Sequence, residues 1–165
     1  MIIKTISTAF LCFLALFSLP ASATGKIVVY EETTLNAGAD SVWNAIGGFG
    51  EINTWYPIIK SVDLTGSNVD AGSTRVLTLE NGAQITEVLV DHDDANRSYS
   101  YVIQKAPLPT KNYYSKIRVI PAGNNRCKVV WSSTFDANGV DDAAAYEAVR
   151  GIYTGGFAAL HDRFK

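Results

Sequence analysis

Two cysteines are all the chain holds. Cys12 lies in a leader-like stretch, so Cys127 stands alone beyond it and no internal disulfide is possible even in an oxidising compartment. Core packing must supply the stability instead. Histidine is equally scarce, with only His92 and His161. Neither has a second metal-type ligand at a useful spacing, so no metal site is expected and both are read as surface residues. There is no Gly-x-Ser-x-Gly, no Gly-x-Gly-x-x-Gly and no phosphate loop, which removes the usual support for acyl-enzyme chemistry and for nucleotide cofactors. No cofactor is expected. Basic runs are missing as well, which argues against nucleic acid and anionic membrane as partners. No segment reaches the ~20 apolar residues of a membrane span.

What is present begins with the marks of an export signal. Lys4 gives a positive end, Phe10 to Leu19 an apolar run, and Ala21-Ser22-Ala23 a small-residue cleavage site, so a signal peptide is expected over 1–23 and a mature chain from Thr24. Cys12 lacks a lipobox before it and leaves with the signal. The product is expected to be soluble and exported from a bacterium, to the periplasm or beyond. Removing Lys4 leaves 13 basic against 16 acidic residues, a net charge of about −3. The 142 residues of 24–165 suit one domain with a real core.

Lys26 to Leu35 is β-branched and aromatic, a first strand. Asp40 is placed to cap a helix from Ser41, Gly47, Gly48 and Gly50 end it, and a second short helix from Glu51 runs to Pro57. Six further strands follow with turn-rich separators: Ile58 to Thr65, Ser73 to Glu80, Ala83 to Asp91, Arg97 to Lys105, Asn112 to Pro121 and Arg126 to Phe135. Short turns between sequential strands predict an antiparallel meander. From Asp141 the period becomes helical, with Ala145, Val149, Ile152, Tyr153, Gly156, Leu160 and Phe164 on one stripe. The class is α+β: a curved sheet around one long helix. Gly151, Gly155 and Gly156 inside that helix cost ~1 kcal/mol each, and close packing against strands is the favoured reason, with space for a ligand the alternative.

Strand parity then sorts the interior. Tyr113, Ser115, Ile117 and Val119 oppose Tyr114, Lys116 and Arg118, so the odd face points inward. Val129, Trp131, Ser133 and Phe135 agree, as do Tyr99, Tyr101 and Ile103. Extending the pattern puts Arg75 with Leu77 and Leu79, and Glu87 with Ile85 and Leu89. A two-residue turn at Asn81-Gly82 would face Arg75 away from Glu87; a three-residue turn over Glu80-Asn81-Gly82 with a glycine bulge sets them opposite, and it alone keeps both leucine-bearing faces on one side. Such a pair either fixes register or contacts a ligand. Aromatic walls with a few hydroxyls and one charged pair describe a pocket for an apolar molecule bearing one or two polar groups. Any catalysis would be acid/base work by Glu87, Arg75 or Tyr101.

The order of elements, with Trp55-x-Pro57 and the glycine-containing last helix, resembles the START/Bet v 1-like superfamily, also called polyketide cyclase/dehydrase-like. That likeness implies a helix-grip fold: a seven-stranded antiparallel sheet wrapped around a long C-terminal helix, with two short helices after the first strand. Within it, Arg75-x-Leu77-x-Leu79-x-Asn81-Gly82, Ile85-Thr86-Glu87, Ser98-Tyr99-Ser100-Tyr101, Leu108-Pro109-x-x-Asn112-Tyr113-x-Ser115 and Ala148-Val149-x-Gly151-Ile152-Tyr153 are most similar to exported MxaD-type proteins. Their association with methanol oxidation implies a periplasmic dehydrogenase or cytochrome c as partner. By likeness to plant hormone receptors of the superfamily, Asn81 to Ala83 would be a gate, Lys105 to Thr110 a latch and Glu87 a ligand-side acid. Tyr56 stands where those receptors hold a carboxylate with lysine, so a neutral ligand is implied. The expected ligand-side residues are Trp55, Tyr56, Arg75, Glu87, Tyr99, Tyr101, Tyr113, Ser115, Trp131 and Tyr153. A non-catalytic ligand-binding or accessory protein is expected first, an electron-transfer helper second and a cyclase or dehydratase third.

Overall fold

The computed structural model describes residues 25–165. The expected signal peptide and the start of the mature chain at Thr24 lie outside the described residues. Strand β1 (Ile27–Leu35) leads into helix α1 (Ala39–Ile46) and a 3-10 segment (Phe49–Thr54). Strands β2 (Ile59–Thr65), β3 (Thr74–Leu79), β4 (Gln84–Asp93), β5 (Ser98–Lys105), β6 (Thr110–Pro121) and β7 (Cys127–Ala137) follow, and helix α2 (Asp142–Arg163) ends the chain. All seven strands form one antiparallel sheet in the order β1-β7-β6-β5-β4-β3-β2. β1 joins β7 rather than β2, because α1 and the 3-10 segment carry the chain across the sheet between the two edges.

Helix α1 forms on one apolar face, burying Val42, Trp43 and Ile46. Its N-cap is Gly38, without a side-chain cap, so Asp40 does not play the expected role. Asp40 lies in the first turn and instead accepts from Arg97 Nε at 2.6 Å. The helix starts two residues earlier than Ser41 because Ala39 is itself buried against the core. Asp141 does cap α2, accepting from the Ala144 N–H at 2.7 Å.

The β3–β4 hairpin sets the register of the interior. Leu79 N–H donates to the Ala83 carbonyl at 2.8 Å, Gly82 N–H donates to the Leu79 carbonyl at 2.9 Å, and Gly82 has φ +83°. That is the three-residue turn with a glycine bulge; only glycine accepts this φ without strain. Arg75 therefore opposes Glu87.

The core lies between the concave face of the sheet and α2. Odd-numbered residues of β5, β6 and β7 supply Tyr99, Tyr101, Tyr113, Ile117, Val129, Trp131 and Phe135, all buried. From α2 come Ala145, Val149, Tyr153, Phe157 and Leu160. His161 is exposed on α2, whereas His92 corrects the surface reading. Its side chain is 3% exposed, its Nε2 lies 2.9 Å from the Gly47 carbonyl, and its ring stacks on Tyr99. The register shift in β4 between Leu89 and Asp91 turns His92 to the inner face opposite Tyr99, where the loop after α1 meets it.

Candidate functional site

The charged pair sits beneath the 3-10 segment. Arg75 Nε and Nη2 both lie 2.6 Å from Glu87 Oε2, and Nη1 donates to the Phe49 carbonyl. The guanidinium also lies 4.2 Å from the Phe49 ring centroid and 5.2 Å from that of Tyr101. Arg75 is fully buried and Glu87 nearly so. Burial is the largest single influence and works to lower the arginine's pKa, but the Glu87 charge, the neighbouring Tyr99 and Tyr101 and the hydrogen bond to Glu87 together outweigh it and leave it raised. Burial lifts the Glu87 carboxyl above the usual carboxylate range, and Arg75 pulls it back only in part. An arginine keeps its proton, so the acid facing it at this distance is a carboxylate.

A second polar cluster joins α2 to the sheet. Tyr153 on α2 meets Tyr113 at 2.5 Å and Ser115 at 3.1 Å, hydroxyl to hydroxyl. Trp131 Nε1 donates to Ser115 Oγ at 3.1 Å and to the Tyr101 hydroxyl at 3.2 Å, and its ring stacks on Tyr153 with centroids 4.4 Å apart. Gly155 and Gly156 make room for this packing. A Cβ on Gly156 would meet Trp131 Cζ3 at 2.8 Å, and one on Gly155 would meet the Tyr56 hydroxyl at 2.8 Å. That hydroxyl donates to the Ile152 carbonyl at 2.8 Å. Close packing thus accounts for two of the helix glycines, against side chains rather than strand backbone, while Gly151 faces open space.

Between these clusters lies a cavity of about 390 Å³. Ile58, Asn81, Ala83, Pro107 and Leu108 stand at its exposed or half-buried mouth, and Glu87, Tyr101, Tyr113 and Trp131 at its buried end. Ile52, Ile59, Leu77, Leu79, Ile85 and Ile152 make the aliphatic wall between. The size and the few convergent polar groups are those of a small-molecule site.

Of the residues expected at such a site, Tyr56, Glu87, Tyr101, Tyr113 and Trp131 line the cavity. Trp55, Arg75, Tyr99, Ser115 and Tyr153 do not line it. Arg75 lies behind Glu87 and is occupied by Phe49; Ser115 and Tyr153 lie under Trp131; Trp55 stacks on Tyr56 and leaves its Nε1 without a hydrogen-bond partner. Tyr99 packs between His92 and Phe49, with its hydroxyl likewise unpartnered. Parity gives the buried face correctly but cannot say which part of that face α2 and the 3-10 segment cover. At the mouth, Asn81 and Ala83 fall in the gate and Pro107 and Leu108 in the latch that the family resemblance implies, whereas Ile58 was missed because it stands just before β2, where parity does not reach. Ile152 was on the predicted helical stripe.

Among the described residues no group of His, Cys, Asp and Glu could hold a metal ion, and no helix is long and apolar enough to cross a membrane.

A family model described as polyketide cyclase/dehydrase and lipid transport matches residues 26–165. No curated protein matches the chain. Among solved structures, XoxI from Bacillus cereus is 34% identical, with a TM-score of 0.77 over 83% of this chain and 94% of its own. An uncharacterized protein from Bacillus thuringiensis is also 34% identical, with a TM-score of 0.79 over 84% of this chain and 98% of its own. A START superfamily protein from Mycobacterium smegmatis is 13% identical, with a TM-score of 0.69 over 83% of this chain and 96% of its own, a likeness of fold alone.

Proposed function

The chain belongs to the polyketide cyclase/dehydrase and lipid transport family, within the START/Bet v 1-like superfamily and its helix-grip fold, and from that premise we propose that it works by holding an apolar small molecule in the cavity rather than by transforming one. The observation that carries this reading is the cavity itself: about 390 Å³, aliphatic from the mouth inward, with polar groups gathered only at the closed end. Acid/base catalysis by Glu87, Arg75 and Tyr101 has less support. The two charges neutralise each other at 2.6 Å, and Arg75 does not reach the cavity. Burial first, and then the Glu87 charge, raises the Tyr101 hydroxyl well above its usual range, far from a value suited to proton exchange near neutral pH.

Export belongs to the same proposal and rests on residues 1–23; N-terminal sequencing of the secreted product should begin at Thr24. The dehydrogenase or cytochrome partner rests on the MxaD-type resemblance alone. Native mass spectrometry of protein purified from its own host tests the binding reading. A retained small molecule is expected, and Ala83→Trp, which sets an indole at the mouth, should reduce its occupancy several-fold. Protein that carries no small molecule, and that takes up no uncharged fluorophore such as 1-aminoanthracene, would sink the idea.

A further inference from the structure

At the closed end of the cavity, the hydroxyl protons can be followed from donor to acceptor, and one has no destination. Ser115 Oγ donates to the Ser132 carbonyl at 2.9 Å, which commits its single proton. Tyr153 must then donate across its 3.1 Å contact with Ser115. With that proton used, the 2.5 Å contact runs from the Tyr113 hydroxyl to the Tyr153 oxygen. Trp131 Nε1 carries a proton and no lone pair, so in its 3.2 Å contact Tyr101 is the acceptor. This is the one side-chain hydrogen bond Tyr101 makes among the described residues. Its own O–H, on a residue 2% exposed and lining the cavity, has no protein acceptor.

Glu87 is the complement. Both arginine contacts fall on Oε2, and Oε1 accepts no hydrogen bond from the described residues. The side chain is 5% exposed and lines the same cavity. Glu87 opposes Ile103 and Leu89 opposes Tyr101 across β4 and β5, so Glu87 and Tyr101 are diagonal neighbours on the inner face, roughly 7–8 Å apart at the backbone. One oxygen atom placed between their side chains could meet both. A buried donor and a buried acceptor left unmatched are costly, so whatever fills this end is selected by its ability to satisfy them.

The chemistry that does so is narrow. A carboxylate offers no proton and meets the charge of Glu87; an ether oxygen accepts from Tyr101 but gives Glu87 nothing; an alcohol oxygen accepts from Tyr101 and donates to Glu87. The geometry points to an uncharged amphiphile that enters head-first, its hydroxyl between Tyr101 and Glu87 Oε1 and its aliphatic tail running out past Ile58 and Leu108. This rests on the cavity being a binding site and adds which end of the ligand goes in and what that end carries.

Displacement of 1-aminoanthracene from the full chain, followed by fluorescence, tests it with 1-decanol, its isomer 1-methoxynonane and decanoate at neutral pH. Decanol is expected to bind roughly tenfold more tightly than the ether, the size of one hydrogen bond to a charged acceptor. Decanoate should bind more weakly than either. Tyr101→Phe, which keeps the ring and leaves Trp131 its bond to Ser115, should weaken alcohol and ether alike, by about fivefold. Equal binding of decanol and 1-methoxynonane, decanoate binding best, or no effect of Tyr101→Phe would each overturn the head-group assignment while leaving the cavity as a binding site. Failure of the fluorophore and all three compounds to bind would overturn both.

Discussion

Beneath the 3-10 segment the buried polar groups are ions, whereas beneath α2 they are hydroxyls, and the two clusters do the same structural task by different means. Arg75 ties the Phe49 carbonyl to Glu87 and so pins the short segment between α1 and β2 onto β3 and β4. Tyr153 ties α2 to Tyr113 and Ser115 on β6. The ionic cluster is all or nothing: two opposite charges compensate each other out of water, and either one alone is stranded. The hydroxyl cluster is graded, because its central members Tyr153, Ser115 and Trp131 each have more than one partner and lose one bond at a time. A cavity between them thus has one rigid ionic shoulder and one neutral, hydrogen-bonding shoulder, which lets it present polarity without net charge.

The largest effect should come from stranding a charge. Arg75→Met leaves the Glu87 carboxylate buried without its counterion and is expected to destabilise the protein by about 3–5 kcal/mol, read as a lower urea midpoint. The double variant Arg75→Met/Glu87→Leu should recover most of that loss, because an apolar pair of similar volume suits the interior. If the double variant is as unstable as the single one, the loss comes from the Phe49 contacts and the distinction between ionic and neutral clusters fails.

The hydroxyl cluster should break at high pH. Burial pushes Tyr153 up to about 12 and raises Tyr101 and Tyr113 well above the ordinary value of 10.0. The folded protein then holds tyrosine protons that the unfolded chain has released, so the contribution of these hydroxyls is undiminished below pH 10 and falls as pH rises from 10 towards 12. Tyr153 alone accounts for on the order of 3 kcal/mol across that window. The ion pair has no part in it, since the Arg75 pKa is itself raised. Urea unfolding at about pH 9, 10 and 11 should show the decline, with a shallower slope in Tyr153→Phe. An equally steep slope in that variant would place the titrating groups elsewhere.

Both clusters were partly legible in the amino-acid order, and for different reasons. The ion pair follows from parity and one turn: Arg75 faces Glu87 only if Gly82 supplies a positive φ, and Gly82 is the residue that can. The hydroxyl cluster follows from parity for Tyr113, Ser115 and Trp131 and from the helical stripe for Tyr153. What neither pattern contains is depth. Ser115 and Tyr153 point inward as predicted yet lie beneath Trp131, because the two missing Cβ atoms at Gly155 and Gly156 let α2 settle onto the sheet. His92 failed for a related reason: the irregularity in β4 between Leu89 and Asp91 reverses the parity, so that His92 pairs with Tyr99 on the inner face, where the Gly47 carbonyl meets it. Period 2 and period 3.6 sort faces; packing between elements decides what each face touches.

The smallest effect tests how tightly α2 is held on the hydroxyl cluster, and it uses two glycines of the same helix. Neither Gly151 nor Gly156 has a positive φ, so alanine is free of backbone strain at both and gains ~1 kcal/mol of helix propensity. They differ in what the new methyl meets. At Gly151 nothing lies within 4 Å, so Gly151→Ala should stabilise the protein by ~1 kcal/mol, a rise of a few degrees in Tm. At Gly156 the methyl would meet Trp131 Cζ3 at 2.8 Å and Trp55 Cζ3 at 3.6 Å. Trp131 cannot give way freely, because it is stacked on Tyr153 and its indole nitrogen is held by Ser115 and Tyr101. Overpacking of about 1–3 kcal/mol should then exceed the propensity gain, and Gly156→Ala should lower Tm while Gly151→Ala raises it. Should the two substitutions stabilise equally, Trp131 yields at little cost, and the neutral shoulder of the cavity is as soft as the ionic one is rigid.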